Sequence, residues 1–379
     1  MSEFIYLDNS ATTKPSGRCI EKVNQALCEN WGNPSSLHIL GMDAEDAVND
    51  VRKKAAKLLK CAESEIYFTS CGTESNNTAI FSSVFKGRKR GKKIVTTAVE
   101  HPSVLEPLKI LEDEGFEVTR LKPDHTGRIR EEDIIAAIDK NTILVSIMLC
   151  NNETGAIMPV AAAKNAIKSA GAPALLHCDA VQAFGKMEID VSKLGVDMLT
   201  FSGHKIHGPK GIGGLYIRKG VSIRPYISGG GQEKNMRSGT ESVPLIMGLG
   251  GAIDDLGSIT ENLKRIKDLN LKAREILNGT KLVEFNSSDD ALPFILNISV
   301  PGYRSETLLH FLENKGIYVS SGSACAKGKG SYVLNEMGLD RKRVDSALRI
   351  SFSRFNTQSD IQKLAEALVE ATAKLRKAN

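Results

Sequence analysis

The chain has no apolar run long enough to cross a bilayer, no close C-x-x-C pair and no basic run interleaved with aromatics. The first absence argues against a membrane span. The second, with an odd total of seven cysteines, argues against a disulfide framework and a zinc site, so no metal is expected. Most of the cysteines read as buried small hydrophobes. Aromatics are only 5% of the residues and the formal charge is only +5, from 50 basic against 45 acidic side chains, so no direct nucleic-acid partner is expected. The densest basic cluster, Lys86-Gly87-Arg88-Lys89-Arg90-Gly91-Lys92-Lys93, falls between a helical and a strand pattern and reads as a solvated loop. The opening MSEFIYLDNSA lacks the basic-then-apolar layout of a secretory signal, and a cytoplasmic location is the expectation.

What is present is an ordinary globular composition, 41% hydrophobic and 25% charged, in 379 residues, a length that suits two domains of unequal size. Strand patterns at 65–69, 93–97, 116–121, 142–149, 174–177, 198–201 and 213–217 alternate with helical patterns at 73–84, 103–114, 131–138 and 160–169. Most of these strands lack a period of two, which predicts a mainly parallel sheet covered by helices on both faces. Helical patterns also lie at 16–29 and 43–59, and a helix-rich connector spans 243–277. Beyond about residue 278 the rhythm changes to strands at 294–300, 317–320 and 349–353 with helices at 306–315 and 359–377, a smaller α+β domain. The expected partition is a large domain at 14–255 and a small one formed by 1–13 and 256–379.

Ligands of open parallel sheets bind beyond the carboxyl ends of the strands, and the residues there are polar. After the strand at 198–201 comes Ser202-Gly203-His204-Lys205, an amine on a loop among glycines. Such an amine serves as surface charge or forms an imine with a carbonyl cofactor. After 65–69 comes Ser70-Cys71-Gly72-Thr73-Glu74-Ser75, opening a helix. It suits either a plain cap by Thr73 or Ser75 or the seat of an anion. Glu100-His101-Pro102-Ser103, Cys150-Asn151-Asn152-Glu153 and Cys178-Asp179-Ala180-Val181-Gln182 follow three further strands. A carboxylate behind an apolar strand, such as Asp179, needs a cation or a full set of hydrogen bonds. Amine, anion seat and buried acid together match pyridoxal 5′-phosphate, whose aldehyde, phosphate and pyridinium nitrogen need those three groups.

The motifs YLDNSATT at 6–13, GNPSS at 32–36, FTSCGTESNN at 68–77, EHPSV at 100–104, NNETG at 151–155, HCDAVQAFGK at 177–186, SGHKIHGPKGIG at 202–213, GGGQE at 229–233, RSGTES at 237–242 and SSGSAC at 320–325 occur in one order. In this the chain resembles the NifS/IscS-type cysteine desulfurases, fold-type I pyridoxal-phosphate enzymes of the class-V aminotransferase group. The resemblance runs nearly end to end and implies fold type I, with the small domain carrying a catalytic cysteine loop. It makes Lys205 the imine lysine, Asp179 the ring-nitrogen partner, and His101 the ring-stacking and proton-carrying histidine. Gln182 and Asn152 become the amides beside the ring, and Gly72, Thr73, Ser202 and His204 the phosphate seat. Thr240 matches a threonine reaching the phosphate from the other subunit, which implies a homodimer. Arg349 matches the arginine that pairs with the substrate carboxylate, Asn33 a helper there, and Arg354 a second, more structural arginine.

Cys325 sits in a loop of small residues, Ser320-Ser321-Gly322-Ser323-Ala324-Cys325-Ala326-Lys327-Gly328-Lys329-Gly330, with basic neighbours and little to pack. A reactive thiolate is expected in such surroundings. The resemblance implies that L-cysteine becomes L-alanine while its sulfur passes to Cys325 as a persulfide. From there it would reach an acceptor protein, an iron–sulfur scaffold or a tRNA-thiolation enzyme. A selenocysteine lyase, another class-V enzyme such as an aminotransferase, and a non-catalytic sulfur carrier are the rivals; the presence of both Lys205 and Cys325 speaks against the last. Two departures stand out: Cys71 replaces a usual glycine beside the phosphate seat, and the segment after Cys325 is shorter than in long-loop members.

Overall fold

Apolar, β-branched runs bounded by turn residues form the central sheet of the computed structural model, which describes residues 4–321 and 330–377. Among the described residues, seven strands lie in the order Ile66–Thr69, Gly213–Ile217, Met198–Ser202, Leu175–Asp179, Thr142–Ser146, Lys93–Thr97, Glu117–Leu121. From Met198–Ser202 to Glu117–Leu121 all neighbours pair in parallel. Gly213–Ile217 runs antiparallel to both of its neighbours.

The strands bury both faces. Ile94, Leu144, Met198 and Leu215 join one apolar cluster with Ile80, Val84 and Leu108 of the helices Gly72–Gly87 and Pro102–Asp113. Their chain neighbours Val95, Val145, Leu199 and Tyr216 enter the other cluster, on the opposite face. The expected α/β architecture, a mainly parallel sheet clad on both sides, is therefore the observed one. Each apolar side chain of this size contributes about 1.5–3 kcal/mol on full burial, so both faces are strongly committed to helices.

A smaller antiparallel sheet has the order Ala347–Ser351, Ile295–Ser299, Glu284–Phe285. The N-terminal strand Ile5–Tyr6 pairs in parallel with Ile317–Tyr318, and Asp8 bridges to Ser351. Residues 9–13 then cross to the loop after Met198–Ser202: Thr13 N–H donates to the His204 carbonyl at 2.9 Å, and Ser16 N–H to that of His207 at 2.9 Å. The first residues thus reach the large sheet's carboxyl edge from the small one.

Several boundaries differ from expectation for local reasons. The helix expected at 43–59 begins earlier, as Ile39–Leu59, because the His38 ring accepts the Gly41 N–H at its start. The connector at 243–277 is two helices, Val243–Asp254 and Ile259–Gly279, parted where Gly257 takes φ +61° and Ser258 caps the second. The strand expected to end at 177 runs on, as Leu175–Asp179, so Asp179 is its last residue rather than a loop residue. Among the described residues no helix is long and apolar enough to cross a membrane.

Candidate active site

A cavity of about 360 Å³ opens at the carboxyl edge of the parallel strands. Gly72, Thr73, His101, Asn152, Asp179, Gln182, Ser202, His204, Lys205 and Arg349, expected in one site, all line it. Asn33 and Thr240 do not: both are exposed, and Asn33 accepts the Ser35 N–H at 3.0 Å. Arg354 lines a separate small cavity and donates to the Asp255 carbonyl. Cys325 lies outside the described residues.

Lys205 ends a single 3-10 turn, Gly203–Lys205, directly after the strand Met198–Ser202. Its Nζ donates to the carbonyls of Ser10 and Ala11 at 2.6 and 2.8 Å, so the N-terminal crossing segment forms its seat. Burial, then the positive charges of Lys186 and Arg349, pull its pKa down to about 7 against the opposing pull of Asp8 and Asp179. An amine in that state is a nucleophile near neutral pH.

Among the described residues Asp179 is held by hydrogen bonds and by no ion pair. Its Oδ1 accepts the Val181 N–H at 2.9 Å and its Oδ2 the Asn76 amide at 2.7 Å. Asn76 also donates to Ser103 Oγ at 2.8 Å, and that hydroxyl meets His101 Nδ1 at 2.8 Å. His101 caps the helix Pro102–Asp113 through the same Nδ1, which accepts the Ser103 N–H. Burial pulls the His101 pKa down, Asp179 pushing the other way. The ring is thereby favoured in its neutral form.

The helix Gly72–Gly87 starts at the cavity wall with Cys71 at its cap position and no side-chain cap bond. Ser75, one of the two possible caps, spends its hydroxyl on Thr69 Oγ1 at 2.7 Å. First-turn N–H groups are thus left for an anion. A Cβ on Gly72 would stand 2.9 Å from Val181 Cγ2, so the close approach of this turn to the next requires glycine. Arg349 reaches the far wall from the small sheet, donating to the Asn152 carbonyl and to Asp8 Oδ1, each at 2.9 Å. Burial raises the pKa of Asp8, with Arg349 opposing.

Residues 5–364 match the aminotransferase class-V family. The chain belongs to the class-V aminotransferases. A cysteine desulfurase IscS of Methanosarcina thermophila is 42% identical over 98% of this chain and 93% of its own length. A NifS-like protein of solved structure, 38% identical, superposes with a TM-score of 0.93 over 98% of this chain and all of its own. A structure described as SspA in complex with cysteine, 33% identical, gives 0.83 over 93% of this chain and all of its own. These neighbours share the fold-type I arrangement.

Around the cavity stand further polar residues that the sequence alone did not single out. Asn76 steers Asp179, and its signal was its place four residues after Gly72, on the same face of the helix. Glu153 is almost wholly buried at the cavity wall, one oxygen accepting the Ser331 hydroxyl and the other without a partner among the described residues, and burial raises its pKa. Glu100, fully buried behind His101, accepts Met148 N–H and Thr97 Oγ1 at 2.9 and 2.8 Å, and burial raises its pKa to about 8. An acidic residue next to a histidine reads as surface until the packing is known.

Proposed function

We propose that the protein is a cysteine desulfurase that uses pyridoxal 5′-phosphate, converts L-cysteine to L-alanine and leaves the sulfur as a persulfide on Cys325. One observation carries the reading: the Lys205 amine, its pKa pulled down to about 7, shares a cavity with the Asp179 carboxylate, which no cation pairs among the described residues, and with an uncapped helix start. Relatives named cysteine desulfurase, and a neighbour described as holding cysteine, support it.

The residues present fit the cofactor. Ser202 Oγ and Asn152 Oδ1 are buried at the cavity with no partner among the described residues, and an anionic, polar-edged ligand satisfies such groups. Gly72, Thr73, Ser202 and His204 would hold the phosphate, Asp179 the ring nitrogen, His101 the ring face, and Asn152 and Gln182 the ring edge. When bound, the cofactor supplies an electrophilic carbonyl carbon and an electron-withdrawing ring.

The chain supplies the rest. Arg349, whose Nε is buried without a partner among the described residues, pairs with the substrate carboxylate. Lys205 Nζ takes the proton from the substrate α-carbon, and His101, neutral at working pH, carries protons between nitrogen and carbon. The Cys325 thiolate attacks the substrate sulfur. The carbon–sulfur bond breaks, the carbon takes a proton, and alanine departs while the sulfur stays on Cys325. A sulfur-acceptor protein of iron–sulfur assembly or tRNA thiolation then takes it. The same reading assigns residues 14–255 to the cofactor-holding domain, 1–13 with 256–379 to the smaller one, and Thr240 to the partner's site in a homodimer.

Borohydride reduction of the yellow holoprotein tests the cofactor claim: the expected result is a bleached band and a cofactor-sized mass increase on the Lys205 peptide. Cys325→Ser is expected to keep the band and lose alanine formation. Alanine made by that variant at the parent rate would overturn desulfuration through this thiol, and alanine formed only when a 2-oxo acid is added would favour a transaminase.

A further inference from the structure

We propose that Lys186 is a positioning residue for Lys205: through Gln182 it fixes the carbonyl seat of that amine, and it sets a second buried positive charge beside it. The inference rests on the reading of Lys205 as the cofactor-binding amine. Lys186 follows Gln182 by four residues in the turns beyond Leu175–Asp179 and is 6% exposed. Its Nζ donates to Gln182 Oε1 at 3.0 Å. Gln182 Nε2 donates in turn to the Ser10 carbonyl at 3.0 Å, the oxygen that accepts Lys205 Nζ at 2.6 Å. One hydrogen-bonded chain therefore joins the two lysines.

Lys186 does not reach the main cavity. It shares with Lys205 a second cavity of about 30 Å³ behind it, so it acts on the site only through its neighbours. A side-chain amide flips at little cost unless a donor-only or acceptor-only partner fixes it. Lys186 has only donors, so it forces Oε1 toward itself and Nε2 toward Ser10. No carboxylate pairs with Lys186 among the described residues, and a buried ammonium without a counter-ion is costly. A methionine would fill the same space without that cost.

The titratable and charged groups that face Lys186 are the Cys150 thiol, Arg349, Lys205 and the rings of His204 and His207. Those that face Lys205 are Lys186 and Arg349 on the cationic side, Asp8 and Asp179 on the anionic side, and the rings of His101 and His204. Removing the Lys186 charge leaves the two carboxylates less opposed, which favours the ammonium form of Lys205.

The test is pulse acetylation of the cofactor-free protein across pH, with labelling of the Lys205 peptide read by mass spectrometry. The parent midpoint is expected near about 7. Lys186→Met should move it up by about one pH unit, and Lys186→Arg, whose extra atoms enter the small cavity, should restore it. Gln182→Leu, which breaks the chain and keeps the charge, should shift it less than Lys186→Met does. If the Met variant does not fold, Lys186→Gln, which keeps a donor and loses the charge, must show the same upward shift. A midpoint unmoved in the folded uncharged variant overturns the proposal. Borohydride labelling of Lys205 in the parent holoprotein separates this failure from failure of the underlying reading.

Discussion

A lysine stripped of water sheds its proton more easily, and at Lys205 that property has a cost in stability that can be measured. Folded, the amine binds its proton only below about 7; unfolded, it does so up to roughly 10.4. Between those values the unfolded state holds the extra proton, so the contribution of this position to stability rises with pH. Below the window the penalty of the buried ammonium is fully present. The cofactor-free Lys205→Met protein should therefore exceed the parent in stability most at about pH 6, with the gap clearly narrower at about pH 9 and closed only above roughly pH 10.4. Urea melts at the two pH values check it, and a constant gap would refute it. Arg349→Lys should raise KM by about ten- to a hundredfold with a smaller effect on kcat, because lysine cannot reproduce a planar two-oxygen contact; steady-state alanine formation reads both constants.

At this scale the meeting of Lys205, Asp179 and His101 in one cavity was legible because each is polar near the end of an apolar strand; singly each also suits a bland role, and only the set points to a ligand. Asn76 and Lys186 were not, since their roles lie in partners. Asn76 meets a carboxylate 103 positions away, and Lys186 acts through a carbonyl of the N-terminal crossing segment.

At the scale of elements, a buried ion pair holds the glycine-rich stretch at 228–233. Arg52, on the helix Ile39–Leu59, meets both oxygens of Glu233 at 2.8 and 2.9 Å and stacks 4.8 Å from the Phe68 ring. Glu233 also accepts the Phe68 N–H at 2.9 Å, tying the stretch to the sheet's edge strand. Both partners are buried, with side-chain exposures of 8% and 2%. Glu233→Ala would strand the arginine and should destabilise the protein by about 3–5 kcal/mol, seen as a lowered midpoint in chemical denaturation. A loss within the range of surface substitutions would mean that the pair is not closed in solution.

The loop itself was legible from its glycines, and so were the seven central strands, because a two-sided apolar sheet leaves continuous runs. The break inside 243–277 was not. Its apolar spacing continues through Leu256 to Ile266, and only Gly257 at φ +61° and the Ser258 cap divide it. The strand expected to reach 149 stops at Ser146, although Ile147 and Leu149 still donate to the His177 and Asp179 carbonyls at 3.1 and 2.8 Å. Pattern and pairing agree there; only the assigned end differs.

At the scale of the whole molecule, the proposed homodimer can be tested against the exposed apolar surface. Leu27, Trp31, Leu37, Ile39 and Met42 come from one short stretch and are 60, 64, 98, 65 and 52% exposed. Large apolar side chains concentrated in this way mark an association surface. Thr240, expected at the phosphate, is exposed and does not line the cavity of its own chain, as a residue serving the other subunit's site would be. A homodimer accounts for both observations, and mixed dimers test it. Lys205→Ala and Thr240→Ala should each form dimers of twice 41.1 kDa with little activity. Coexpressed under separate tags, they assemble one site from two sound halves, Lys205 from one chain and Thr240 from the other, so about one working site per mixed dimer is expected. Trp31, the single tryptophan, gives an independent reading, since its emission should shift to longer wavelength if dilution separates the chains. Mixed dimers that form and stay inactive would place Thr240 in service of its own chain, or outside the site altogether.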